Sequence, residues 1–269
     1  AEGWGGRTSL VPIHYLGTVG STQDEAKRIL QEYANKGDDS PDCFAVSANE
    51  QNHGRGTKGR DWIGRPGNCF VTICLPCDLI TPLPVTLLPL KIGTIVATHI
   101  DRAFRSVGVH GARVRVKWPN DVLINDGKVA GALIESHCNP ETLRSWYLIG
   151  IGVNVAHAPT IYQFGPQRGR QATCLSEHGS FVKGDGTNDS RTLAADLAEE
   201  VHAWATEGDM TAEGVVREWE AWADFGREQV LRDKPENEVV VPLAIEPDGR
   251  LKVRGADGKI QLLCTDYLL

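Results

Sequence analysis

Gly54-Arg55-Gly56-Thr57-Lys58-Gly59-Arg60-Asp61-Trp62 puts three glycines and three cations into seven residues, with an indole close behind. Glycine lets a backbone approach a ligand closely and visit positive φ. Successive free N–H groups in such a loop form a concavity for an anion. Arg55, Lys58 and Arg60 add positive charge around it, and Trp62 offers a flat face for a ring. The loop reads as a holder for a phosphate or carboxylate, most simply one carried by a nucleotide. Gly54, Gly56 and Gly59 also satisfy G-x-G-x-x-G, but that fingerprint requires a helix to open directly after it. Gly64, Pro66 and Gly67 follow instead, so a dinucleotide fold is set aside. A solvated basic turn is the plain alternative.

Lys117-Trp118-Pro119-Asn120-Asp121 joins a cation, an aromatic, an amide and a carboxylate at a bend. Asp121 is suited to binding Mg²⁺ or to orienting a lysine; a local turn built on Asn120 and Asp121 is the alternative. Lys128 follows on the returning arm of a hairpin signalled by Asn125-Asp126-Gly127. Hairpin geometry brings it back toward Asp121, where a fixed ammonium would stabilise charge on a phosphate. Gly131 bares the next strand, and Gly150-Ile151-Gly152-Val153-Asn154 bares one face of another. Asn154 stands at the end of that bare face, ready to bond a base edge or a ribose.

These residues need elements to hold them. Ser21 or Thr22 caps a helix with Asp24 and Glu25 in its first turn and Ala26, Ile29, Leu30 and Tyr33 at helical spacing. Residues 44–48 and 68–75 read as strands on either side of the basic loop. Residues 84–104 read as a buried helix, 113–118, 121–124, 128–135 and 146–155 as strands, and 193–204 and 212–225 as amphipathic helices. Residues 159–188, rich in glycine, proline and polar types, read as loop. Past Gly226, short strands at 229–231, 238–243, 251–254 and 260–264 alternate with Asp-Gly turns, as in a small barrel.

With 269 residues, 41% hydrophobic and 23% charged, the chain has the composition of an ordinary globular protein. A net charge of −7 argues against broad binding to nucleic acid or to a membrane surface. No apolar run reaches the roughly 18–20 residues of a membrane span. The first residues do not form a signal peptide. Seven scattered cysteines suit reduced thiols and a cytoplasmic setting. Cys74 and Cys77 lack the second ligand pair of a zinc site, and no histidine stands at a metal spacing.

Taken together, Ser21-Thr22-Gln23, residues 51–62, 117–121, 128–135 and 150–154 resemble biotin protein ligases in order and spacing. G-R-G-x-x-G-R-x-W, K-W-P-N-D and K-x-x-G-x-L-x-E in one chain are far more specific than any of them alone. The resemblance implies an α+β fold: a central mixed/antiparallel sheet with flanking helices, of class II synthetase type, over residues 1–225. A small SH3-like β-barrel over 226–269 completes it. It implies that biotin attacks ATP to give biotinyl-5′-AMP, which then acylates a lysine of a biotin carboxyl carrier domain. ATP and Mg²⁺ are expected, the metal riding on the phosphates rather than on protein ligands.

Carried over by residue, Lys128, Asp121 and Arg55 are the implied catalytic groups. Ser21, Thr22, Gln23, Gln51, Gly56, Thr57, Lys58, Lys128, Gly131, Gly150 and Gly152 would hold biotin. Arg55, Lys58, Arg60, Trp62, Lys117, Asn120 and Asn154 would hold ATP and the adenylate. Gln23 stands where the family usually has Asn, and Thr57 where many members have a second arginine. The expected partners are carrier domains, with no nucleic acid and no membrane, for a monomer or weak homodimer. A form lacking the family's N-terminal DNA-binding domain is expected. A lipoate ligase and a non-enzymatic binder of biotin or nucleotide are the competing readings.

Overall fold

The computed structural model describes residues 11–37, 42–140, 142–161, 170–179, 190–231 and 238–264. In chain order its elements are β1 (Ile13–Val19), α1 (Thr22–Asn35), β2 (Phe44–Gln51), β3 (Cys69–Pro76), α2 (Leu88–Ser106), β4 (Val114–Lys117), β5 (Asp121–Ile124), β6 (Gly127–Cys138) and β7 (Ser145–Val153). They continue with α3 (Ser190–Glu207), α4 (Ala212–Glu220), β8 (Gln229–Val230), β9 (Val239–Ile245), β10 (Leu251–Gly255) and β11 (Ile260–Leu263).

The first seven strands form one sheet in the order β1-β2-β3-β7-β6-β5-β4. Only β1 and β2 run parallel; the remaining neighbours are antiparallel. β3 lies inside the sheet, between β2 and β7, and is buried along its whole length, which is why residues 69–75 read as an unbroken apolar run rather than an alternating one. Helices cover both faces. Ala26, Ile29 and Leu30 of α1 pack on Phe44, Val46, Cys74, Trp146 and Leu148. The intervening residues, such as Ile73, Ile149 and Ile151, face α2, α3 and α4 in a larger core.

That alternation places the site. Successive strand residues point to opposite faces, so the α1 face of β7 carries Trp146 and Leu148 and then Gly150 and Gly152. On β6 the directly paired positions are Gly131 opposite Gly152 and Leu133 opposite Gly150. Large side chains fill this face beneath α1, and glycines empty it just beyond the helix N-terminus. Ser21 caps that end, its Oγ accepting from Gln23 N at 3.3 Å.

β8 to β11 form a separate antiparallel row in the order β11-β10-β9-β8. Val240, Leu251 and Val253 enter the same core as the large sheet. Trp118 Nε1 donates to Gly249 O at 2.9 Å, and Ile245 N to Glu220 Oε1 at 2.9 Å. The K-W-P-N-D bend thus sits against the small sheet, a contact no local pattern signals. Three other features differ from the sequence reading. β1 was not foreseen: its mixed residues form an edge strand fixed only by pairing with β2. The helix read over 84–104 opens as a 3-10 turn at Val85–Leu87 before α2, and α4 ends at Glu220 rather than 225. Much of 159–188 lies outside the described residues.

Candidate active site

A cavity of about 550 Å³ opens over the glycine floor. Its closed end is polar. Thr22 N and Oγ1 both donate to Gln51 Oε1, at 2.8 and 3.1 Å, and Thr72 Oγ1 donates to Thr22 Oγ1 at 2.9 Å. Gln23 Nε2 donates to Leu133 O at 2.8 Å, which fixes the amide's orientation. Gln23 Oε1 is buried and has no partner. A buried acceptor left unmatched costs roughly 1–3 kcal/mol, so this end is built for a ligand that brings an N–H. A Cβ at Gly150 would stand 2.4 Å from Gln23 Nε2. The longer amide at position 23 therefore depends on a bare residue 150.

Over the middle of the cavity arches the basic loop. Gly56 N donates to Arg60 O at 2.7 Å and Trp62 N to Gly54 O at 2.8 Å. Between them Lys58 and Gly59 take φ of 57° and 69°. Arg60 Nε donates to Thr57 O at 3.0 Å and its Nη2 to Thr57 Oγ1; Thr57 thus holds Arg60 where a second arginine was the family pattern. Trp62 lies on the floor: a Cβ at Gly152 would meet its ring at 2.5–2.7 Å and one at Gly131 at 3.3 Å. Its Nε1 is buried without a partner. The indole thus lines the space above Gly131 and Gly152.

Arg55 pairs with two carboxylates. Its Nη1 and Nη2 lie 2.7 and 2.9 Å from the carboxylate of Asp24 on α1, and Nη2 lies 3.2 Å from Glu135 on β6. Glu135 also pairs with Lys27 at 2.5 Å. Hydrogen bonding to Arg55 holds the Asp24 carboxyl below its ordinary range. Arg55 is in this arrangement a clamp tying the loop to helix and sheet. Asp24 and Lys27 were missed as site residues because nothing in their spacing points at the loop.

The other end of the cavity is cationic. β5 and β6 pair with an irregularity between Val122 and Leu123, and Lys128 Nζ reaches back to Asp121 Oδ1 at 2.5 Å. Lys117 Nζ lies 3.8 Å from the other oxygen. Burial alone would push the Asp121 pKa up; Lys128, Lys117 and Arg60 together hold it below the usual carboxylate range. Lys128 Nζ also stands 5.3 Å from the Trp62 ring centroid. Asn120 Nδ2 donates to Ala132 O at 2.6 Å, and Asn154 Nδ2 to Thr173 O at 3.1 Å. Both amides brace backbone around the cavity. Among the described residues no three His, Cys, Asp or Glu side chains gather into a metal site, and Asp121 is spent on its two lysines. The seven cysteines are free thiols, and burial pushes Cys69 up to about 12.

Residues 19–154 match the model of the biotin/lipoate A/B protein ligase family. The chain belongs to that family. A relative from Paracoccus denitrificans, a biotin–[acetyl-CoA-carboxylase] ligase, is 30% identical over 218 residues, covering 80% of this chain and 85% of its own length. The bifunctional ligase/repressor BirA of Bacillus subtilis is 33% identical over 178 residues, and the match spans only 50% of that longer protein. Among solved structures, the biotin protein ligase of Leishmania major in complex with biotin superposes with a TM-score of 0.64 at 28% identity, covering 94% of this chain and 98% of the other. Its complex with biotinyl-5-AMP gives 0.58 at 26% identity, covering 94% and 99%. The family fold extends beyond the matched residues to the small second sheet. No helix among the described residues is long and apolar enough to cross a membrane.

Proposed function

We propose that the chain is an ATP-dependent biotin protein ligase. The observation that carries this over a lipoate ligase is the closed polar end of the cavity, where Gln23 Oε1 is a buried acceptor without a donor. Biotin's ureido ring presents N–H groups to such an acceptor. A lipoyl dithiolane presents none, and would leave it unmatched. The cationic end supports an enzyme rather than a binder, because a carboxylate and a phosphate repel until fixed cations stand between them.

In this reading Ser21, Thr22, Gln23 and Gln51 surround the ureido ring, and Trp62, Gly131, Gly150 and Gly152 enclose the bicycle and its chain. The biotin carboxylate then falls beside Lys128. A carboxylate oxygen attacks the α-phosphorus of ATP, the bond from phosphorus to the bridging oxygen breaks, and pyrophosphate leaves with the electron pair. Lys128 bridges carboxylate and α-phosphate as a fixed charge. Asp121 holds that ammonium in place and neutralises it between turnovers. Arg60 and Lys58 lie over the phosphates, while Asn120 and Asn154 shape the nucleotide side. Mg²⁺ would travel with the nucleotide and add charge neutralisation there. Arg55 keeps the loop down, excluding water from an acyl adenylate that hydrolyses readily.

The second half-reaction transfers biotin to the lysine of a carboxylase carrier domain, in the cytoplasm, by a monomer or weak homodimer whose main domain ends near residue 225. Replacement Lys128→Ala tests the assignment. Adenylate formation falls by about 10²–10³-fold, as for loss of one transition-state charge contact, while biotin binding largely survives. Adenylation at the wild-type rate in that variant removes Lys128 from the mechanism.

A further inference from the structure

In the apolar run from Cys69 to Leu75, Thr72 is the one polar side chain. It is fully buried, on β3 opposite Val46 of β2 and Gly150 of β7. Valine would fill the same space and suit a buried strand as well. The hydroxyl, costly when buried without a partner, therefore needs a separate account. Of the described residues that line the cavity, Thr22, Gln23 and Gln51 are three and Thr72 is not one. Thr72 reaches the ligand's space through Thr22, whose Oγ1 lies 2.9 Å from its own.

One backbone group fixes the direction of every bond around Thr22. Thr22 N can only donate, and its partner at 2.8 Å is Gln51 Oε1, so the Gln51 carbonyl faces Thr22. The amide nitrogen turns toward the root of the basic loop, where a Cβ at Gly54 would stand 3.1 Å from Nε2. A carbonyl oxygen only accepts, so the Thr22 hydroxyl spends its single proton on Gln51, at 3.1 Å. The proton between the two threonines therefore comes from Thr72. A hydroxyl oxygen has two acceptor lone pairs. Thr72 occupies one on Thr22, and the other is left to whatever enters the cavity. Thr22 thus meets a ligand as an acceptor, beside Gln23 Oε1, a buried acceptor without a donor. Two acceptors suit the two N–H groups of a cyclic urea.

Resting on the ligase reading above, we propose that Thr72 is a positioning residue, whose donated proton keeps the Thr22 hydroxyl turned as an acceptor for a ureido N–H of biotin. Threonine carries an oxygen and a methyl on one carbon and has three staggered rotamers. The bonds to Thr72 and Gln51 select the observed one. With a methyl at position 72 in place of the donor, the Thr22 methyl packs there better than the oxygen does. Rotation then carries the acceptor off the ligand.

Thr72→Val, Thr72→Ser, Thr22→Val and the double replacement Thr22→Val with Thr72→Val test this in the whole chain, by calorimetric titration with biotin. Thr72→Val weakens biotin binding about 10-fold, as for one ligand N–H left without its acceptor. Its KM for ATP, read by biotin-dependent exchange of labelled pyrophosphate, stays within about twofold, because the nucleotide lies away from this end. Thr72→Ser keeps the proton and binds biotin within about threefold of wild type. Thr22→Val removes the acceptor itself, and adding Thr72→Val to it costs less than about twofold more, because residues that act through one contact are not additive. If Thr72→Val binds biotin as wild type does, or if its loss multiplies in full on that of Thr22→Val, Thr72 does not act through Thr22 and the inference is wrong. A Ser variant as impaired as the Val one, or an equal rise in KM for ATP, marks a purely structural role and overturns it too. Wild-type protein that binds biotin without biotin-dependent exchange removes the ligase reading instead, and the titrations still decide the role of Thr72.

Discussion

Asn68, at the entry to β3, is 2% exposed, and its side chain serves four backbone groups. Oδ1 accepts from Val155 N, Ala156 N and His157 N at 3.0 Å each, and Nδ2 donates to His157 O at 2.8 Å. One amide therefore sets the turn that follows Asn154 and leads to Pro159, Thr160 and Ile161 on the cavity rim. Asn68→Ala removes all four bonds. Val155 is fully buried, and its orphaned N–H costs about 1–3 kcal/mol. The three groups at 156 and 157 lie nearer solvent and regain water, each losing about 0.5–1 kcal/mol net. The sum is about 2.5–6 kcal/mol, a fall in Tm of roughly 7–18 °C for a chain of this size. Calorimetry reads the melting change, and steady-state adenylation reads its functional side. Because the turn carries Asn154, KM for ATP rises while KM for biotin changes little. Asn68→Asp keeps the three acceptor bonds but sets a buried carboxylate oxygen against His157 O in place of the donor, so it is destabilised as well. A melting temperature within about 2 °C of wild type for Asn68→Ala, or an equal rise in both KM values, would refute this view of the turn.

Other outcomes follow from the same geometry. Gly150→Ala drives a Cβ into Gln23 Nε2 and breaks its bond to Leu133, so calorimetric titration shows biotin affinity down about 10- to 100-fold. Asp121 has its carboxyl lowered in the fold. Its stabilisation is therefore fully present above the unfolded value of about 3.9 and disappears as pH falls through the lower folded value. Chemical denaturation below about pH 4 shows a loss in wild type that is smaller in Asp121→Asn. Arg55 is about a third exposed and Asp24 about half, so the clamp is worth at most about 1 kcal/mol and weakens in about 1 M salt. Arg55→Ala, or high salt on the wild type, speeds chymotryptic cleavage after Trp62; unchanged cleavage in both would remove the clamp.

Much of the site is legible in the sequence because its demands are local. The basic loop needs glycines at fixed offsets, the floor needs glycines two apart on a strand, and the hairpin turn returns Lys128 to Asp121. Such requirements leave patterns in the order of residues. What is not legible depends on tertiary partners. Asp24 and Glu135 sit 31 and 80 positions from the Arg55 they hold, and neither residue type announces the pairing. Asn68 looks like any turn asparagine until the segment after β7 comes to rest on it. Thr72 stands in a run that reads only as a buried strand, and its hydroxyl acquires meaning from the seating of Thr22 beside it. β1 went unseen because its strand pairing, rather than its own alternation, fixes it. The contacts of Arg55 have a related cause: the loop's composition shows that a cation is present, while the two carboxylates that engage it come from α1 and β6.

The central claim is that the cavity activates biotin with ATP. Exchange of labelled pyrophosphate into ATP, run with biotin, lipoate and octanoate in parallel, tests it most directly. Exchange with biotin alone is the predicted result, because only biotin brings N–H groups to Gln23. Exchange supported by lipoate or octanoate would contradict the assignment of that polar end, and no exchange with any acid would contradict the assignment of Lys128 and its neighbours as catalytic machinery.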